Sequence, residues 1–168
     1  MQETNTQPRN NTGEVKAKLR SYGILQRRID HQITRLENLV ETIDSIASAN
    51  YSGMPSGPHD GVSKAERYVE KKDELERKID SMIQQEKILR KEVEELIALL
   101  PDPDEQACLE MKYVDVMDWQ DVAFGLFGML AEYESHKERY MKRTFKLHGA
   151  ALQRLSEICW EKRPPQLQ

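Results

Sequence analysis

Lys137, Arg139, Lys142, Arg143 and Lys146 sit within a run of ten residues, and their chemistry is that of phosphate neutralisation. Arginine adds a planar two-donor fork that matches a guanine edge. The residues between them say how they would be presented. Tyr140, Thr144, Leu147, Ala151, Leu155 and Ile158 recur at steps of three or four, so a helix here buries them as one face. Arg139, Lys142, Arg143 and Lys146 then point the other way. A helix with one buried stripe and cations opposite suits a phosphate-lined groove. The bland alternative is a solvated surface helix.

The charge around this stretch is sorted. Residues 101–134 carry nine acids against the single base Lys112, and residues 135–154 carry six bases, Arg154 included, against Glu138. Solubility alone would mix the signs. The sorting points to a polyanionic partner for the basic stretch and a different one for the acidic stretch. The net charge of −4 argues against a protein that coats nucleic acid along its whole length.

Other chemistries find little footing. There is no Gly-rich phosphate loop, no Cys/His metal spacing and no nucleophile–base pair, so the expectation is a protein that is not an enzyme and uses no cofactor or metal. His31, His59, His136 and His148 are scattered. His148 reads as a packing or helix-surface residue rather than a base reader. Cys108 and Cys159 read as small apolar residues in helical patterns, not as a disulfide framework. No apolar run reaches the length of a membrane span and no signal peptide opens the sequence, so a cytoplasmic location without membrane contact is expected.

The elements that must hold the basic stretch are helical throughout. Residues 1–12 are polar and aperiodic and read as a disordered tail. From about Gly13 to Ala49, Val15, Tyr22, Ile29, Leu36 and Ile43 repeat every seven, joined by Leu25, Leu39 and Ile46. Asn50 to Gly61, rich in Gly and Pro, ends that helix, although Tyr51 and Met54 could dock apolar surface. A second long helix runs from about Ser63 to Leu100. Ser63 and Glu66 form a capping box, and Tyr68, Leu75, Met82, Leu89 and Leu96 form the seam. Two long helices of matched length joined by a short loop fold back as an antiparallel coiled-coil hairpin over residues 13–100. Two helices give a thin core, so a homo-oligomer, in the simplest case a dimer, is expected.

Asp102 and Pro103 then supply an N-cap and a first helical residue for a helix to about Val114. Asp118 caps another that begins at Trp119. That helix places Trp119, Val122, Ala123 and Leu126 on one side with Phe127 adjacent, and Trp119 reads as a core anchor. The basic helix follows. Residues 101–160 therefore read as a three-helix domain ending in a helix-turn-helix, with 161–168 as a tail. The fold class is all-α, a helical hairpin followed by this domain. Gly149 in mid-helix costs roughly 1 kcal/mol against Ala, and reads as a place where the preceding helices pack closely.

These residues resemble region 4 of bacterial sigma factors. Leu109, Lys112 and Tyr113, then Trp119, Asp121, Val122 and Ala123, follow its first helices. Tyr140 to Leu155, with Arg143, Thr144, His148, Gly149, Ala151 and Leu152, follow a more specific pattern. With the upstream coiled coil and the Ser52–Pro55 linker, the chain resembles phage and prophage regulators of low-GC Gram-positive bacteria, related in kind to the ArpU and RinA late-gene activators. The resemblance covers most of residues 19–155. It implies sequence-specific binding of double-stranded DNA, transcription regulation of phage or prophage genes, and RNA polymerase as a further candidate partner. A dimer would place two readers on a two-fold operator. The chain departs from the pattern in the usual tight turn, which is replaced by about a dozen residues, Gly128 to Arg139. It also carries no counterpart of sigma region 2. Two other readings fit the same sequence: a small terminase subunit that binds packaging DNA, and a coiled-coil adaptor without nucleic-acid binding.

Overall fold

The computed structural model describes residues 12–50 and 64–161, which are helices and connecting turns without a strand among them. The N-terminal tail, the loop with Tyr51 and Met54, the Ser63 cap and the C-terminal tail lie outside the described residues. Helix α1 spans Thr12–Asn50 and α2 spans Lys64–Ile97. The chain groups into two compact units, one of Met1–Gly23 with Leu89–Gln168 and one of Ile24–Ile88. The division thus falls inside the two long helices rather than at the Pro101 break, because the first turns of α1 and the last turns of α2 supply core to the helices that follow.

In the Ile24–Ile88 unit the seam residues meet. Gln26, Ile29 and Asp30 share a groove with Ile83 and Glu86. Further along α1, Gln32, Arg35 and Leu39 share one with Lys71, Leu75 and Lys78. Rising numbers on one segment meet falling numbers on the other. Ile29, Ile79 and Met82 are buried. Leu25, Leu36, Leu39, Ile43 and Leu75 are only half-buried, as two helices without a third layer must leave them.

The other unit has a fuller core. Val15, Leu19 and Tyr22 of α1 and Val93, Ile97 and Leu100 at the end of α2 pack with Leu109, Tyr113, Val114, Ala151, Leu152 and Leu155. The last turn of α2 tightens as Leu100 N–H donates to the Ile97 carbonyl at 3.0 Å, and Pro101 prevents continuation. Helix α3, Pro103–Leu109, starts as the sequence predicts: Asp102 Oδ1 accepts from the Asp104 and Glu105 N–H groups at 2.9 and 3.4 Å. Helix α4 spans Trp119–Phe127, with Asp118 Oδ1 accepting from Gln120 and Asp121 at 2.8 and 3.1 Å. Gly125 admits the Met111 thioether, whose sulfur lies 2.6 Å from where a Cβ would stand.

Between α3 and α4 the helix widens. Residues Glu110–Val114 form a π turn, closed by the Asp115 N–H on the Glu110 carbonyl at 3.0 Å. Val116 then takes a φ of 55°, and Met117 N–H returns to the Met111 carbonyl at 3.0 Å. This is a left-handed helix stop, a position that glycine or asparagine fills without strain. A β-branched residue there is strained by roughly 1–2 kcal/mol. Val116 is 40% exposed, so its removal forfeits little burial. Val116→Gly or Val116→Asn is therefore expected to raise the unfolding free energy by about 0.5–1 kcal/mol, read from the shift of a urea midpoint.

Candidate nucleic-acid interface

Helix α5, Lys137–Glu161, carries the basic stretch and packs on α3 and α4. Its start is set by aromatic rings. The connection from Gly128 onward bends through i→i+3 bonds, Leu130 to Phe127 and Tyr133 to Leu130, and enters a 3-10 turn at Glu134–His136. The Tyr133 ring lies 5.6 Å from that of Tyr140, and the Phe127 ring lies 5.3 Å from it. The three rings form a small core of their own that fixes the first turn of α5. The long connection thus ends in a built entry rather than a slack loop.

The buried face of α5 follows the sequence pattern with a shift. Tyr140, Thr144, Ala151 and Leu155 are buried; Leu147 and Ile158 are half-buried, and His148, Leu152 and Ser156 take the remaining inner positions. Thr144 Oγ1 donates to the Tyr140 carbonyl at 3.0 Å, which lets a hydroxyl sit in this face. Trp119 is half-buried and packs edge-on against Phe145 and His148, each at 4.9 Å. The Lys112 ammonium lies 4.8 Å from the Trp119 ring and donates to the Met117 carbonyl at 2.6 Å.

His148 is a packing residue. It is 8% exposed, and its Nε2 is 2.9 Å from the Tyr113 hydroxyl. Burial, together with the nearby Lys16, Lys112 and Arg20 cations, lowers its pKa from the ordinary 6.5 to about 4. A base whose folded pKa is depressed contributes stability above its unfolded pKa and loses it as pH falls toward the folded one. Between pH 6.5 and 4, His148 is therefore expected to remove roughly 2–3 kcal/mol of unfolding free energy. Urea titrations across that window should show this slope in the parent chain and a flatter one in His148→Gln.

The five cations fall into two groups. Arg139, Lys142, Arg143 and Lys146 are exposed and sit at steps of three and one along the outer side of α5. Arg139, Lys142 and Lys146 make no ion pair among the described residues, while Arg143 places its guanidinium 4.8 Å from the Phe127 ring. With Ser135, His136, Lys137 and the acids Glu134 and Glu138 they line an open depression of about 840 Å³. Lys137 differs: Glu134 holds it at 2.8 Å, and the pairing keeps its pKa above the ordinary value. Arg154, counted with the basic stretch in the sequence, is also engaged. Its Nη1 donates to Glu105 Oε2 at 3.0 Å, tying α5 to the first turn of α3. Glu105 is 2% exposed, and burial pushes its carboxyl pKa up against the pull of Arg154. The sequence does not announce this pair, since an acid in a first helical turn reads as a surface charge answering the helix dipole.

Gly149 does not do what its place in the pattern suggests. No atom lies within 4 Å of where its Cβ would stand, so it admits no close packing by neighbouring helices. Nothing in the structure explains it. Cys108 is fully buried, and burial raises its thiol pKa to about 11, while Cys159 is half-buried against the same core. Both behave as the small apolar residues expected.

These features define a class: a protein helical throughout its described residues, whose last long helix turns a cationic stripe, free of ion pairs among those residues, to solvent. Residues 60–140 match the model of a family described as a protein of unknown function, DUF1492. The match takes in α2 to α4 and the first turn of α5, and stops before Lys142, Arg143 and Lys146. No curated protein and no solved structure matches the chain. Among the described residues no helix is long and apolar enough to cross a membrane.

Proposed function

We propose that the chain is a sequence-specific DNA-binding regulator of transcription, in which α4 and α5 act as a helix-turn-helix and α5 enters the major groove. The observation that carries this reading is the stripe of Arg139, Lys142, Arg143 and Lys146, exposed on a helix whose opposite face and first turn are fixed by packing. A rigid helix holds its donors in register with a duplex, so that binding need order only their side chains and not the backbone. The resemblance to phage and prophage regulators supports the same reading and gives the genes it would act on. Helices α1 and α2 are read as an antiparallel hairpin that joins copies of the chain.

Binding-site selection from random duplexes tests the sequence preference, and titrations at several salt concentrations test the mechanism. With about four phosphates neutralised, log K is expected to fall with log salt at a slope of roughly −3 to −4. A flat salt dependence, or a selection that enriches nothing, sinks the proposal.

A further inference from the structure

The Ile24–Ile88 unit is charged differently on its two flanks. In an antiparallel pair, the residues just before the seam positions of both helices share one flank. On α1 these are Arg28, Arg35 and Thr42, before Ile29, Leu36 and Ile43; on α2 they are Lys71, Lys78 and Gln85, before Lys72, Ile79 and Glu86, which follow Tyr68, Leu75 and Met82 by four, so four of the six are cations. Such flanks ordinarily carry opposite charges that pair across the groove. Arg35, Lys71 and Lys78 do line one groove, of about 350 Å³, over Leu39 and Leu75 and with Glu74 beside them. Arg28, Arg35, Lys71 and Lys78 have no ion pair among the described residues.

The opposite flank is acidic and apolar in alternation. On α1 it reads Asp30, Ile33, Glu37, Val40, Asp44, at steps of three and four. On α2 it reads Val69, Asp73, Glu76, Asp80, Ile83, at steps of four and three. Ile33 is 37% exposed and Val69 46% exposed, so the apolar members are not fully covered within the unit. Lys72 reaches Glu76 at 3.0 Å and neutralises part of this flank.

We propose that this unit associates with further copies of the chain head to tail, the basic groove of one copy receiving the acidic flank of the next. The two surfaces are complementary. Both flanks have an apolar centre and a charged border, and the borders are of opposite sign. A two-fold contact made on either charged flank would set like charges together, which disfavours it. A nucleic acid would answer only the basic groove and leave the acidic, apolar flank uncovered. A second copy answers both, with matching length and helical spacing. Using different surfaces on the two partners makes the contact heterologous. The inference rests on the self-association part of the functional reading and not on DNA recognition.

The test measures the mass of the full chain by sedimentation equilibrium without DNA, so that failure here leaves DNA binding untouched. The parent chain is expected to associate at about 0.05 M salt and to dissociate toward monomer at about 0.5 M. Arg35→Glu/Lys78→Glu removes the basic groove and Glu37→Lys/Asp80→Lys removes the acidic flank. Each variant alone is expected to be monomeric. Their equimolar mixture should associate again, because the intact flank of one variant meets the intact groove of the other and the two reversed surfaces are once more opposite in sign. Helix content by circular dichroism verifies that each variant is folded, and the salt series on the parent chain decides the matter where one is not. A monomeric parent chain, an association indifferent to salt, variants that still associate alone, or a mixture that stays monomeric would each overturn the proposal. So would a monomeric parent chain whose basic groove proves to hold duplex DNA.

Discussion

Lys142→Glu/Arg143→Glu is expected to bind its selected duplex about 100-fold more weakly than the parent chain, with little change in stability. Both side chains are exposed on the outer side of α5, and neither is ion-paired among the described residues. Reversing them removes two donors and adds two charges that repel phosphate. Roughly 1–3 kcal/mol is lost where an arginine reads a guanine, and less where a lysine meets a phosphate. The salt slope should shrink by about one for each phosphate left without its cation. Lys137→Glu serves as the contrast, since Glu134 already engages Lys137 and its loss should matter less. Fluorescence anisotropy at fixed salt measures all three. A loss of binding free energy for Lys137→Glu half that of the double variant, in proportion to the charge reversed, would mean that net charge, not the stripe, governs binding.

Arg154→Ala is expected to destabilise the fold by about 2–3 kcal/mol, more than its exposed position suggests. Arg154 is 44% exposed on its side chain, but its partner Glu105 is only 2% exposed. Removing the arginine strands a carboxylate at the junction of α3 and α5 with no counterion. The half-exposed guanidinium is why the loss falls below that of a fully buried pair. Replacing Glu105 with Met in the same chain should recover most of the loss, because an apolar side chain needs no partner there. The pH dependence gives an independent check. A carboxyl whose folded pKa lies above its unfolded one is stabilised by protonation, so the deficit of Arg154→Ala should shrink as pH falls from neutrality and the stranded carboxylate takes up a proton. Chemical denaturation of the two variants at several pH values measures this.

The helix starts are legible in the sequence because capping residues act over two or three positions. Asp102–Pro103 and Asp118 announce α3 and α4, and both carboxylates accept the N–H groups predicted. The seams are legible as periodicity, yet not in depth. Leu96 and Ile97 both fit the last turns of α2, and only packing decides that Ile97 is fully buried while Leu96 lies at the edge. The π turn leaves no mark, since widening a helix by one residue changes which carbonyl is used and not which side chains are present. The Glu105–Arg154 pair spans 49 positions and emerges only where α3 and α5 meet. The cationic stripe of α5 is readable because solvent-facing positions follow from where the apolar ones fall. Which of its members neighbours engage is not, because Glu134 reaches Lys137 only through the geometry of the 3-10 turn.

The opposed flanks of the Ile24–Ile88 unit carry one more implication for how the protein would be arrayed on a genome. Neighbours joined through unlike surfaces all face the same way, so a row of them has polarity and its two ends are chemically distinct. Reading domains carried on such a row would match tandem copies of a sequence in one orientation. Palindromes suit neighbours joined the other way, and should be missing from the sequences this protein selects.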